Sequence, residues 1–338
     1  MKILVRATNW LGDAVMSLPA LRAVRSRYPR AHISVLAKPW VAALYEGERS
    51  IDAVIALDTA MWRQAWRLRR ERFDLAILLP NSFASAAQVF VTGARRRIGY
   101  ARDGRGALLT DAVRVPAAGE IPRHERFYYL EMLRRAGVID ALPDVKEIRL
   151  DGAADAAARG AELFRARGIA SAVVGVSPGA AYGGAKRWLP ARFAEAAQKL
   201  AARVEGSVAV FGSAAERTMC EEVARASGGH NLAGSTTLRE FIDMTAACRL
   251  FLTNDSGAMH IAAALCVPSV TVFGPTDDTA TGPCGANATL VREPVDCAPC
   301  RLRECPIDHR CMTRVTVDRV VLAAESVSGG RLRGCQQP

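Results

Sequence analysis

The stretch RLFLTNDSGAMHIAAALCVPSVTVFGPTD, Arg249–Asp277, decides the fold. An apolar run of strand length reaches Thr253, stops at the corner Asn254–Gly257, passes into an alanine-rich helical pattern, and returns through a second β-branched run to Gly274. Strand, short helix and strand in this spacing form a βαβ unit, whose two strands can only be parallel. Open parallel sheets bind ligands beyond the carboxyl ends of their strands, so Asp255, Ser256 and Gly257 stand where chemistry is expected. The free N–H groups and the dipole of the following helix favour phosphate or diphosphate there. Gly257 has no side chain to block an anion, Ser256 offers a hydroxyl, and His260 lies one turn further along the same face. An acidic residue facing a phosphate would repel it, so Asp255 reads as an N-cap that shapes the turn.

The same alternation extends outward in both directions. In the first half KILVRA, HISVLA, AVIAL and LAILLP read as strands. DAVMSLPALRAVRSRYP reads as a helix, MWRQAWRLRRERF as another, and HERFYYLEMLRRAG as a long helix ending at Gly137. After Asp151–Asp155 the pattern restarts with AVVGVSPG, LPARFAEAAQKLAAR, SVAVFGS and AERTMCEEVARAS. A chain of 338 residues exceeds one ordinary core, and two successive Rossmann-like α/β domains, residues 1–151 and 152–338, account for it. Neither half carries G-x-G-x-x-G after its first strand or a Walker-type loop, which disfavours a dinucleotide oxidoreductase or P-loop NTPase.

Composition excludes other classes. No stretch supplies about 18 uninterrupted apolar residues for a membrane span, the longest run being broken by Pro268. Arg6 and Asp13 interrupt any leader-like apolar region near the start, and a cytoplasmic protein is expected. The net charge of +11 suits polyanionic ligands or an acidic membrane surface, but no nucleic-acid-binding motif accompanies it. Trp62, Trp66 and the arginines around them suit either a membrane-touching amphipathic helix or a crossover helix covering the sheet, and the second is the expectation.

Three further strand–helix corners bear chemistry-capable residues. Asp13 follows the first strand in NWLGDAV, where it either caps a helix or serves as a general base at a cleft rim. SPGAAYGGAKRW is a small-residue loop leading to Lys186, a mobile cation for an anion held by backbone N–H groups. Glu216 follows SVAVFGS, where a carboxylate accepts either ribose hydroxyls or first-turn N–H groups. Cys297, Cys300, Cys305 and Cys311 are spaced C-x2-C-x4-C-x5-C and could close around a structural metal. That spacing matches neither common zinc-ribbon pattern, so a metal is not the favoured reading.

Taken together, NWLGDAVMSLPALRAV, LPNSFASA, RRRIGYARDGRGALLT, SPGAAYGGAKRWLPARFAE, NDSGAMHIAAAL and VFGPTD resemble glycosyltransferase family 9, the ADP-heptose-dependent heptosyltransferases of lipopolysaccharide synthesis. NWLGD and AKRW resemble the members that add the second heptose. The resemblance implies a GT-B architecture of two facing Rossmann-like domains with parallel sheets, the N-terminal one for acceptor and the C-terminal one for ADP-heptose. It implies inverting, cofactor-independent transfer of L-glycero-D-manno-heptose onto the heptose of a heptosyl-Kdo2-lipid A acceptor, at the cytoplasmic face of the inner membrane. By position it makes Asp13 the base, and Lys186, Glu216, Asp255, Ser256, Gly257 and His260 the donor contacts. Asn81, Ser82 and the arginines between Gly99 and Arg105, Arg102 among them, become acceptor candidates, and the cysteine segment at 297–311 has no assigned part. A family member with a different acceptor, or a non-catalytic nucleotide-sugar-binding protein, would share these motifs.

Overall fold

The alternating pattern folds into two six-stranded sheets, every strand pair parallel, in a computed structural model that describes residues 1–169 and 172–328. The first unit spans Met1–Val145 and the second begins at Lys146. The division precedes the expected boundary because Ile148 and Leu150 donate backbone hydrogen bonds to Cys284 O (2.9 Å) and Ala264 O (2.8 Å), which ties this segment to the second unit.

The first unit runs β1 (Lys2–Arg6), α1 (Leu11–Met16), α2 (Leu18–Arg27), β2 (His32–Ala37), α3 (Pro39–Ala42), β3 (Ala53–Ala56), α4 (Met61–Leu68), β4 (Leu75–Leu78), α5 (Phe83–Val91), β5 (Arg96–Tyr100), β6 (Asp111–Val113) and α6 (Arg126–Arg135). Its strand order is β3-β2-β1-β4-β5-β6, so the chain reverses direction across the sheet between β1 and β4. All four residues of β4 are buried, as are Ile3, Leu4 and Val5 of β1, because helices cover both faces of a parallel sheet.

The second unit runs α7 (Ala153–Ala166), β7 (Val173–Ser177), α8 (Pro190–Arg203), β8 (Ser207–Val210), α9 (Arg217–Ser227), β9 (His230–Asn231), α10 (Leu238–Ala246), β10 (Leu250–Asn254), α11 (Gly257–Ala264), β11 (Ser269–Phe273), α12 (Asp278–Thr281), β12 (Ala288–Arg292), α13 (Arg310–Thr313) and α14 (Val317–Val327). Its order is β12-β11-β10-β7-β8-β9, which places the reversal between β10 and β7.

Several local expectations change. The helix expected after Asp13 is two helices: Pro19 has no N–H to continue the first, and the chain breaks at Ser17, whose hydroxyl bonds Ala14 O at 2.8 Å. Gly137 does end α6, at φ +66°, through a pair of bonds, Gly137 N to Arg134 O (3.0 Å) and Val138 N to Leu133 O (2.8 Å). The tryptophans of α4 do not cover the sheet. Ala65 is buried, Met61 and Leu68 pack on the core, and Trp62 and Trp66 remain 52% and 64% exposed.

Candidate active site

In the first unit the reversal between β1 and β4 opens a pocket of about 370 Å³, lined after β1 by Thr8, Asn9, Trp10 and Asp13 and after β4 by Pro80, Asn81 and Ser82. Arg102, Glu125, Tyr128 and Tyr129 complete it. The four residues singled out in this half, Asp13, Asn81, Ser82 and Arg102, thus line one cavity. Asp13 is not a cap: Trp10 holds the N-cap position of α1, and Asp13 sits three residues into the first turn. Trp10 contributes no side-chain cap bond.

Beneath the pocket lies Arg6, 4% exposed, whose guanidinium donates to Asn9 Oδ1 at 2.9 Å; burial pulls its pKa down to about 10. Asn81 is held at both ends, donating to the Tyr128 hydroxyl at 3.0 Å and accepting from Arg105. Arg105 itself is wholly buried and donates to Tyr100 O (2.8 Å) and Pro80 O. It is a strut for the loop after β4, so of the arginines expected near the acceptor, Arg102 faces the pocket and Arg105 does not. The Ser82 hydroxyl accepts from Ser85 N as the N-cap of α5.

Glu125 went unread in the sequence. It is half-buried, and burial first, then the charge of Asp13, hold its carboxyl above the usual range, with Arg102 opposing them. Two carboxylates therefore share this pocket with one arginine. Tyr129 feels the same environment: burial, then Asp13 and Glu125, raise its pKa well above that of an ordinary tyrosine. Their common signal was the run HERFYY, whose helix packs beside α2, remote in sequence from Asp13.

In the second unit the loops after β7, β8, β10 and β11 meet at the other reversal. Asn254, fully buried at the end of β10, donates to Pro178 O (2.7 Å) and accepts from Trp188 N (2.9 Å), pinning both ends of the Lys186 loop. Lys186 Nζ lies 2.6 Å from Asp255 Oδ2, with side-chain exposures of 13% and 4%. Thr276, following β11, donates to the same carboxylate oxygen. Asp255 is therefore not the expected N-cap: its N–H continues the ladder to Val272 O (3.3 Å), and its side chain holds a cation. The N-cap of α11 is Ser256, which makes no side-chain cap bond and leaves that role unfilled at the helix N-terminus. His260 is 5% exposed in the first turns of α11.

Glu216 closes a capping box, accepting from Ser213 N (2.9 Å) and Ser213 Oγ (2.8 Å) through Oε2. Its Oε1 approaches Gly179 so closely that a Cβ there would lie 2.0 Å away, and any larger residue at 179 would have to displace this carboxylate.

The cysteine segment has a structural use that its motif did not disclose. Ala185 N donates to Arg303 O (2.9 Å), Gly184 N to Glu304 Oε1 (2.9 Å) and Tyr182 Oη to Arg301 O (2.8 Å), while His309 Nε2 meets Ala185 O at 2.7 Å. The segment thus braces the loop that carries Lys186. Burial and the nearby Cys297, Cys305 and Cys300 push the Cys311 thiol up to about 11. Among the described residues no three His, Cys, Asp or Glu side chains are placed to hold a metal.

Two doubly wound parallel sheets, each with a polar corner at its point of reversal, define the GT-B class of nucleotide-sugar transferases. The chain belongs to glycosyltransferase family 9 (heptosyltransferase), whose family model matches residues 61–310. It is 34% identical over 314 residues to lipopolysaccharide heptosyltransferase 2 of Salmonella typhimurium, covering 86% of this chain and 88% of that one. It is 31% identical to lipooligosaccharide heptosyltransferase 2 of Haemophilus ducreyi, covering 95% and 97%. The solved structure of E. coli ADP-heptose LPS heptosyltransferase II superposes with a TM-score of 0.82 at 29% identity, over 98% of this chain and 99% of that one.

Proposed function

We propose that this protein transfers L-glycero-D-manno-heptose, with inversion, from ADP-heptose to the first heptose of a Kdo-lipid A inner core. One observation carries the reading. A carboxylate lines the pocket at the reversal of the first sheet, while a half-buried lysine, held by Asp255, stands beside the N-terminus of α11 at the reversal of the second. Inverting displacement needs these two things, a base for the attacking hydroxyl and charge stabilisation for the leaving group. Full-length similarity to enzymes named heptosyltransferase 2 supports the donor and the acceptor.

In this mechanism Asp13 takes the proton from the acceptor hydroxyl as its oxygen attacks the anomeric carbon. ADP departs with the bonding pair, and the N–H groups of Gly257 and its neighbours, with Lys186, bind its phosphates. Asp255 keeps Lys186 oriented before the donor arrives; Ser256 and His260 complete the diphosphate corner. Glu216 Oε1, beside Gly179, faces the ribose. Arg102 and Asn81 in the first unit receive the anionic acceptor, and Ser82 contributes by fixing the start of α5 beside it. No step passes through a metal. Because the acceptor is a lipid, the enzyme works as a peripheral protein on the cytoplasmic face of the inner membrane.

The test is ADP release with two acceptors, Kdo2-lipid A and its mono-heptosylated form. Turnover on the second alone is expected; turnover on the first alone would move the protein to a different acceptor within the family.

A further inference from the structure

We infer that the outer face of α4 is a docking surface for an anionic lipid bilayer. This deepens, and rests on, the reading of the acceptor as a membrane-anchored lipid. Gln64 fastens the helix, donating to Ala56 O (2.7 Å) and accepting from Asp58 N (3.0 Å), while Met61, Ala65 and Leu68 bury its inner face. Nothing in the anchoring of the helix uses the tryptophans.

The opposite face presents Trp62, Arg63, Trp66 and Arg67, the last paired with Asp58 at 3.0 Å, and the chain continues into exposed Arg69 and Arg70, so the cations the face offers are Arg63, Arg69 and Arg70. The Arg69 guanidinium lies 4.8 Å from the centre of the Trp66 ring, and the nearby Glu71 is already paired with Lys2 at 2.8 Å. Wide amphipathic rings set among arginines are the composition of a helix that lies in the headgroup layer. A protein groove would require a contiguous apolar stripe; here cations interrupt the rings at every turn, which matches an acidic lipid surface.

Topology places this face on the acceptor side. In a parallel sheet each connecting helix begins at the carboxyl edge, so Trp10, Trp40 and Trp62, which follow β1, β2 and β3, all stand at the edge where the Asp13 pocket opens. Trp10 and Trp40 are 57% and 61% exposed.

The experiment is co-sedimentation of the full chain with vesicles of phosphatidylethanolamine and phosphatidylglycerol, against phosphatidylcholine vesicles, at two salt concentrations. Wild type is expected to bind the anionic vesicles and to lose binding in high salt. Trp62→Ser/Trp66→Ser and, separately, Arg63→Glu/Arg70→Glu should each weaken partitioning at least about tenfold. Both variants should keep wild-type turnover on a deacylated, water-soluble acceptor, since none of the four residues lies in the pocket. Unchanged vesicle binding by both variants overturns the proposal. So does a wild-type dimer that the tryptophan variant dissociates while vesicle binding persists, because the face would then join two copies of this chain. Vesicle binding without transfer to any acceptor would sink the proposed function and leave the docking surface standing.

Discussion

Replacing Lys186 by methionine removes one half of the most deeply buried ion pair at the donor corner, and the cost follows from its surroundings. At 2.6 Å and an effective dielectric of about 20, the gross attraction is about 6 kcal/mol. Desolvating the two ions cancels much of that, so the intact pair adds little net stability. Breaking it is another matter: Asp255 would stay 4% exposed with Thr276 as its remaining side-chain donor, an uncompensated charge that costs about 3–5 kcal/mol. The partial access of water to Lys186, 13% exposed, puts the expectation near 3 kcal/mol. Asp255→Asn in the Lys186→Met background should recover most of this, giving a coupling energy of about 2–3 kcal/mol. Urea unfolding of wild type, both single variants and the double variant supplies the cycle. ADP at a hundredfold excess over its Kd should stabilise wild type by about 2.7 kcal/mol, and the double variant, stable but without the cation, should respond much less. A cost below about 1 kcal/mol for Lys186→Met would refute the reasoning, since the pair would then behave like a screened surface contact.

Other expectations follow from single features. Asp13→Ala should fold and bind ADP-heptose while turnover drops at least about 10²-fold in steady-state kinetics; near-normal turnover would remove Asp13 as the base. The Glu125 carboxyl should titrate above the ordinary value of about 4.3 when followed by carbon NMR, lower in Asp13→Asn and higher in Arg102→Ala. Because the folded pKa is raised, the protonated form favours folding below the unfolded value, and that contribution is lost as pH rises through the folded pKa. Glu125→Gln should therefore gain stability over wild type as pH rises through that pKa and show no advantage below pH 4, a sign that thermal melts across pH can reverse. Gly160→Ala, which helix propensity alone would make stabilising by about 1 kcal/mol, should instead cost about 2–3 kcal/mol. A Cβ there would sit 1.9 Å from Asp243 O where α7 packs on α10, and an increase in melting temperature would contradict that packing.

Several particular residues show where reading the sequence stopped. The strands β1, β2, β4, β7, β8, β10 and β11 were legible because a parallel sheet buried on both faces writes continuous apolar runs. Strand β5 was not, since Arg96 and Arg97 interrupt its apolar signal; Arg96 is spent on Asp111 at 2.7 Å and Arg97 on Leu108 O at 2.8 Å. The corner residues were legible by position, directly after strands, whereas their partners were not. Glu125 reaches the Asp13 pocket from the N-cap position of α6, more than a hundred residues away, and no local pattern encodes that distance.

The sequence alone determined the two α/β repeats, the corners at Asp13, Lys186, Glu216 and Asp255, and membership of a transferase family, because backbone periodicity and turn composition are local properties. Tertiary structure alone decided what each side chain does at those corners. It turned Asp255 from a helix cap into the counter-ion of Lys186, reduced Arg105 to a strut, made the cysteine segment a brace for the lysine loop, and left Trp62 and Trp66 facing outward. The physical reason is the same in each case: partners distant in the chain compete for one polar atom or one side of a helix, and only packing settles which of them wins.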